Sequence, residues 1–284
     1  VPGRRRVALT LAALTFAAVY LALSPPGTPA APPVPAESPD AGEVRWLKGQ
    51  THVHPLGPVE GDTVPFAVAR RYARLGYDFI IFTEQNRVMS LPPVESMLVL
   101  PGIELTFDFK SCVPNVADGG RCVLHVAGLF VDPDASFSLS TFSNVREEVV
   151  RGEVERVQAA GGIAGVVHPD PRRGMGLDEL LVAADAGARW VEVANAGAGI
   201  DGEALWRAAL DAGARLFPVA ADDAQGPAGL RRPAACGSGA ARDQGWIWVR
   251  ARKEAASIRA AIERGDFYAE TRDGRRWALS DLGP

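Results

Sequence analysis

From residue 44 onward, short apolar runs alternate with segments in which apolar residues recur every three or four positions. The first pattern predicts strands and the second helices. Strands are expected at residues 44–50, 77–82, 97–104, 123–130, 163–167, 190–193, 216–220 and 246–249. Helices are expected at residues 63–75, 142–160, 177–186, 203–212 and 253–264. In the first of these, Val64, Val68, Tyr72 and Leu75 share one face, and Gly76 ends it. Gly161 and Gly162 stop the second. Residues 226–244 read as a Gly/Pro/Arg loop, and the tail after Phe267 and Tyr268 carries no readable pattern. Repeated strand–helix units with polar residues gathered after each strand describe an α/β barrel. The site of such a barrel lies at the C-terminal ends of its strands.

The first strand closes on Thr51-His52-Val53-His54. Residues two apart in a strand point to the same side, so this H-x-H aims two imidazoles at one point, as a metal ion requires. The chain has only four histidines, and the other two, His125 and His168, lie in or just after later strands. Acids stand between them. The candidate ligands are therefore His52, His54, Glu104, His125, His168 and Asp223, with Asp222 able to exchange roles with its neighbour. Neutral imidazoles with carboxylates suit zinc, manganese or iron as divalent ions. Six groups exceed one tetrahedral shell, which suits two ions with Glu104 bridging. Two such ions can share a hydroxide and stabilise both entering and leaving oxygens. In the loop after the H-x-H, Asp62 is suited to cap the following helix, leaving Glu60 free to face the site. Asp223 and Glu60 are the candidates for orienting the attacking water. Arg87, Arg172 and Arg173 are candidates for receiving an oxyanion.

The amino-terminal pattern differs. Arg4, Arg5 and Arg6 precede an apolar run over residues 7–23, the charged and apolar regions of an export signal. Residues 1–24 are expected to form a signal peptide or a membrane anchor, residues 25–43 a Pro/Ala-rich linker, and residues 44–284 the folded domain. Positive charge before the run predicts a domain outside the cytoplasm, periplasmic or extracellular, with inner-membrane anchoring by residues 7–23 if the run is retained. An oxidising compartment would allow Cys112 and Cys122 to form a disulfide across the base of a long hairpin, with Cys236 left unpaired. The formal net charge of -4 argues against nucleic acid as a partner, because that would call for a basic face.

These residues resemble the PHP domain, named for polymerases and histidinol phosphatases, and within it the exported carbaryl-hydrolase-like branch. The resemblance spans roughly residues 46–270. It rests on the H-x-H and on Phe82-Thr83-Glu84-Gln85-Asn86, Pro101-Gly102-Ile103-Glu104 and Leu124-His125-Val126-Ala127-Gly128-Leu129. It continues through Val167-His168-Pro169 and Ala221-Asp222-Asp223-Ala224-Gln225-Gly226. It implies a distorted (β/α)7 TIM-like barrel, a cluster of up to three metals, and hydrolysis of phosphoesters or other esters of small molecules.

Gln85 and Gln225 stand where the family normally has histidines. An amide is a poor ligand for zinc-like ions and cannot act as a base. The family pattern assigns both positions to one of three metals, so their joint replacement implies a two-metal site. One ion would then be held by His52, His54, Glu104 and Asp223, the other by Glu104, His125 and His168. The expected activity is that of an exported metal-dependent hydrolase, a phosphoesterase using a hydroxide held by two divalent ions. The alternatives are an inactive barrel that binds a phosphorylated or sugar ligand, and an amidohydrolase-type amide or ester hydrolase.

Overall fold

A computed structural model describes residues 42–56, 64–116, 120–137, 143–225 and 243–279. The segments read as signal or anchor and most of the linker lie outside the described residues, as do Glu60, Asp62 and Cys236. Among the described residues no helix is long and apolar enough to cross a membrane.

The elements follow the apolar pattern closely. In order they are β1 (Arg45–Gln50), β2 (Val53–His54), α1 (Val64–Arg74), β3 (Phe79–Phe82), β4 (Leu98–Phe109) and β5 (Cys122–Leu129). Then come α2 (Arg146–Ala159), β6 (Ile163–Val166), α3 (Leu177–Asp185), β7 (Trp190–Asn195), β8 (Ile200–Asp201), α4 (Glu203–Asp211) and β9 (Phe217–Ala221). The chain ends with β10 (Ala224–Gln225), β11 (Gly245–Ala251), α5 (Ala255–Arg264), β12 (Phe267–Thr271) and β13 (Arg276–Trp277).

One curled sheet carries the order β13-β12-β11-β1-β3-β4-β5-β6-β7, with β8 and β9 both pairing with β7. At the site the end of β9 comes beside the end of β1. There β10, just beyond β9, pairs in parallel with β2, just beyond β1, placing Ala224 beside Val53 and Gln225 beside His54. The result is barrel-like but departs from the (β/α)7 repeat. β4 and β5 form an antiparallel hairpin with no helix between them, so β5 also meets β6 antiparallel. Within this sheet, among the described residues, only the pairs β1/β3, β3/β4, β6/β7 and β7/β9 are parallel. The cause is local: β4 runs on past Glu104 to Phe109 before turning back, which reverses the next strand. The hairpin base is closed by a Cys112–Cys122 disulfide with Cα atoms 6.2 Å apart. Closing so short a loop contributes roughly 2–3 kcal/mol.

The strands pack large rings against bare backbone. A Cβ on Gly49 would lie 1.9 Å from the Phe79 ring, and one on Gly165 2.1 Å from the Trp190 indole. β1 and β6 must therefore carry glycine there for those rings to fill the barrel. Outside it, Val68, Ala69 and Tyr72 of α1 pack over Ile80, Phe82 and Val99. α2 lays Val149, Val150, Val154 and Val157 against β5 and β6. At Gly128 and Gly162 an added Cβ would strike Val157.

Candidate metal centre

The backbone of the H-x-H is pinned by one buried amide. Gln50 Oε1 accepts from the N–H groups of Thr51 (3.1 Å), His52 (3.3 Å) and Asp222 (3.3 Å), while its Nε2 donates to Gly245 O (2.9 Å). Val53 is held on both sides by Thr83, through the hydroxyl and the N–H. Asp223 N–H donates to His52 O at 3.1 Å, which brings the β9 end beside the β1 end.

These constraints gather four of the other five expected ligands around Glu104. Glu104 Oε1 lies 2.9 Å from His168 Nε2, 3.1 Å from His125 Nδ1 and 3.6 Å from His52 Nε2, and Oε2 lies 3.4 Å from His54 Nε2. The sixth, Asp223, places Oδ1 3.1 Å from His54 Nε2 and 3.6 Å from His52 Nε2. Two groups have the spacing of a cation's ligands: His52, His54 and Asp223, and His52, Glu104 and His168. His125 meets Glu104 through Nδ1 and Asp108 through Nε2 (3.3 Å). The H-x-H, Glu104 and Asp223 are buried.

The donor set fits a cation. Glu192 Oε1 lies 2.8 Å from His52 Nδ1. A carboxylate only accepts, so Nδ1 carries the proton and Nε2 presents its lone pair. That lone pair faces His54 Nε2 at 3.0 Å. Buried Nδ1 of His54 and Oε2 of Glu104 make no hydrogen bond. Acceptors thus converge on acceptors inside the protein, an arrangement that needs positive charge between them.

The ionisation of these groups says the same. Burial opposes charge on His52, but Asp223, Glu192 and Glu104 outweigh it and hold His52 well above its ordinary value. Burial opposes ionisation of Glu104, yet His52, with hydrogen bonds from His125 and His168, holds it well below the usual carboxylate range. Against burial, Asp108 and Glu104 push His125 up to about 9. Asp223 is held low against burial by His52, His54 and His168. Positive charge is thus favoured among these carboxylates, whether supplied by protons on the imidazoles or by a bound cation.

Backbone strain sits on two ligands: His168 has φ 31° and Asp223 φ 49°, left-handed values unusual for non-glycine residues. The turn at Asp223 also separates the two adjacent acids. Asp222 points away and accepts from the N–H groups of Asp243, Gln244 and Gly245 and from Tyr72 Oη, so it ties the end of β9 to the start of β11. Burial pushes it up to about 6 despite those bonds.

The centre opens into a cavity of about 190 Å³ lined by Gln85, Glu104, Asp108, His125, His168, Arg173, Asp223 and Gln225 among others. Both glutamines singled out above therefore face it, and Gln225 Nε2 donates to Asp223 Oδ1 at 3.0 Å. Of the three candidate arginines only Arg173 lines the cavity. Arg172 is spent on Asp170 through two bonds of 2.9 and 3.0 Å. Asp108, Glu192 and Asn195 are site residues that sequence reasoning missed. The one signal for Glu192 was an acid set in the otherwise apolar run of β7.

No family model matches the chain, and none of the curated proteins does. Among solved structures, an amidohydrolase from Chromobacterium violaceum, with bound sulfate and no metal, is 16% identical. It has a TM-score of 0.43 and covers 62% of this chain and 87% of its own. A candidate metal-dependent phosphoesterase from Bifidobacterium adolescentis is 14% identical, with a TM-score of 0.41, covering 64% of this chain and 88% of its own. At such distances the functional reading rests on the residues of this chain.

Proposed function

We propose that the chain is a hydrolase dependent on divalent metal, acting outside the cytoplasm on phosphate esters of small molecules. The observation that carries this reading is the convergence of lone pairs from His52, His54, Glu104, His168 and Asp223 beside a cavity that holds one arginine. When bound, two ions of zinc, manganese or iron lower the pKa of water to about 7 and neutralise charge on entering and leaving oxygens.

The protein's own residues do the rest. His52, His54 and Asp223 would hold one ion, and Glu104 with His168 and His125 the other. Asp223, kept charged by the imidazoles around it, orients the attacking water at the cavity wall. Arg173 forms no ion pair among the described residues and is free to take two phosphate oxygens. The cavity, of about 190 Å³, has room for a phosphate group. Export rests on Arg4, Arg5 and Arg6 before the apolar run of residues 7–23.

The test is a panel of p-nitrophenyl phosphate, bis-p-nitrophenyl phosphate and p-nitrophenyl acetate, with zinc or manganese added. Turnover of a phosphate ester, with Arg173→Ala raising KM for it and leaving the acetate unaffected, supports the reading. Turnover of the acetate alone overturns the phosphate assignment, and turnover of none overturns the hydrolase.

A further inference from the structure

Glu192 lies in the middle of β7 with no exposure to solvent, between Val191 and Val193. A carboxylate so placed is costly unless donors surround it. Glu192 has three. Oε1 faces His52 Nδ1 at 2.8 Å, and Oε2 accepts from His168 N–H at 2.6 Å and from Asn195 Nδ2 at 2.8 Å. Asn195 Nδ2 also lies 3.3 Å from Asp223 Oδ2. One side chain thus touches a residue from each of the two groups with cation-ligand spacing, and reaches Asp223 through one amide. Its bond to His168 falls on a residue with left-handed backbone, where φ is 31°. That turn aims the imidazole at Glu104.

We propose that Glu192 is a positioning residue that couples the two halves of the centre. It fixes the proton of His52 on Nδ1, so that Nε2 is presented, and it clamps the strained turn that presents His168. Carboxylates behind metal-binding imidazoles commonly orient the ring and raise its basicity. Here the same carboxylate also holds a second ligand's backbone, so its removal reaches both ions. This inference rests on the proposed cation site.

The experiment titrates zinc into the full chain against a competing chelator. In Glu192→Gln the amide oxygen still accepts from His52 Nδ1, but its NH₂ then faces two donors, His168 N–H and Asn195 Nδ2. Both binding steps are expected to weaken by about 10- to 100-fold, whereas His125→Ala weakens one step. Weakening of one step alone in Glu192→Gln, or of neither, overturns the coupling. A variant that fails to fold is bypassed by nitrogen NMR of the zinc-loaded wild-type imidazoles. His52 bound through Nε2 with its proton on Nδ1 supports the assignment, and binding through Nδ1 overturns it. A wild-type chain that takes up no zinc removes the proposed function itself. A chain that binds two ions and is indifferent to Glu192→Gln removes only the role of Glu192.

Discussion

Stripping the metal should make the stability of this protein fall as pH rises from 6 to 9. In the metal-free centre His125 has Glu104 on one ring nitrogen and Asp108 on the other. Burial works against its charge, but these carboxylates hold it up to about 9. In the unfolded chain a histidine titrates near 6.5. A group whose folded pKa is raised contributes stability that is complete below its unfolded value and disappears as pH climbs through its folded value. The window is therefore about 6.5 to 9. The gap of about 2.5, at about 1.4 kcal/mol per pH unit, sets a ceiling of about 3.5 kcal/mol for this residue. His52 is raised as well and adds in the same direction. In the zinc-loaded protein the imidazoles are neutral ligands at both ends of the window, so this loss should vanish. Urea unfolding followed by tryptophan fluorescence, on stripped and loaded chains at pH 6 and pH 9, reads the difference. Asp108→Asn removes one of the two negative charges beside His125 and should shrink the loss. Equal stability of the stripped protein at both pH values would refute the picture of protons standing in for cations.

Two further outcomes are expected. Gln85→His combined with Gln225→His should raise bound metal by about one ion per chain, measured by elemental analysis, because both side chains face the cavity that holds the other ligands. An unchanged count discards the idea that these glutamines replaced a third metal. Elsewhere, both oxygens of Glu153 are buried on the inner face of α2 with no hydrogen bond, and burial pushes its carboxyl well above the usual range. Glu153→Leu should therefore stabilise the protein by about 1–3 kcal/mol in urea unfolding. A loss of stability there would mean that the carboxyl has a role in the native state.

The sequence made the site more legible than the barrel. His52 and His54 were readable because two-residue alternation at a strand end leaves no other direction for them. Glu104 and His168 were readable from their place at or after apolar strands. Asp222 and Asp223 were interchangeable on paper. What separates them is the left-handed turn at Asp223, a backbone property that no apolar pattern records. Glu192 was hidden because an acid between two valines reads as part of a strand, and only the approach of β1 reveals its partner. The barrel's reversal at β4 and β5 was also obscure. A cysteine hairpin could be expected, but not that Leu98–Phe109 would form one twelve-residue strand that carries Glu104 at its middle. The short β12 and β13 escaped notice because they are half polar. They are fastened from outside, by Arg275 and Trp277 binding the carboxylate of Glu203 on α4 at 2.9 and 2.8 Å.

The chemistry of the centre depends on its holding cations, and metal content is the direct measure. The full chain, produced with zinc and manganese in the medium, should carry roughly two transition-metal ions by elemental mass spectrometry. The double variant His52→Ala and His54→Ala should carry at least one ion fewer per chain while keeping its far-UV circular dichroism. A wild-type chain without metal, or a double variant with undiminished metal, would contradict the account.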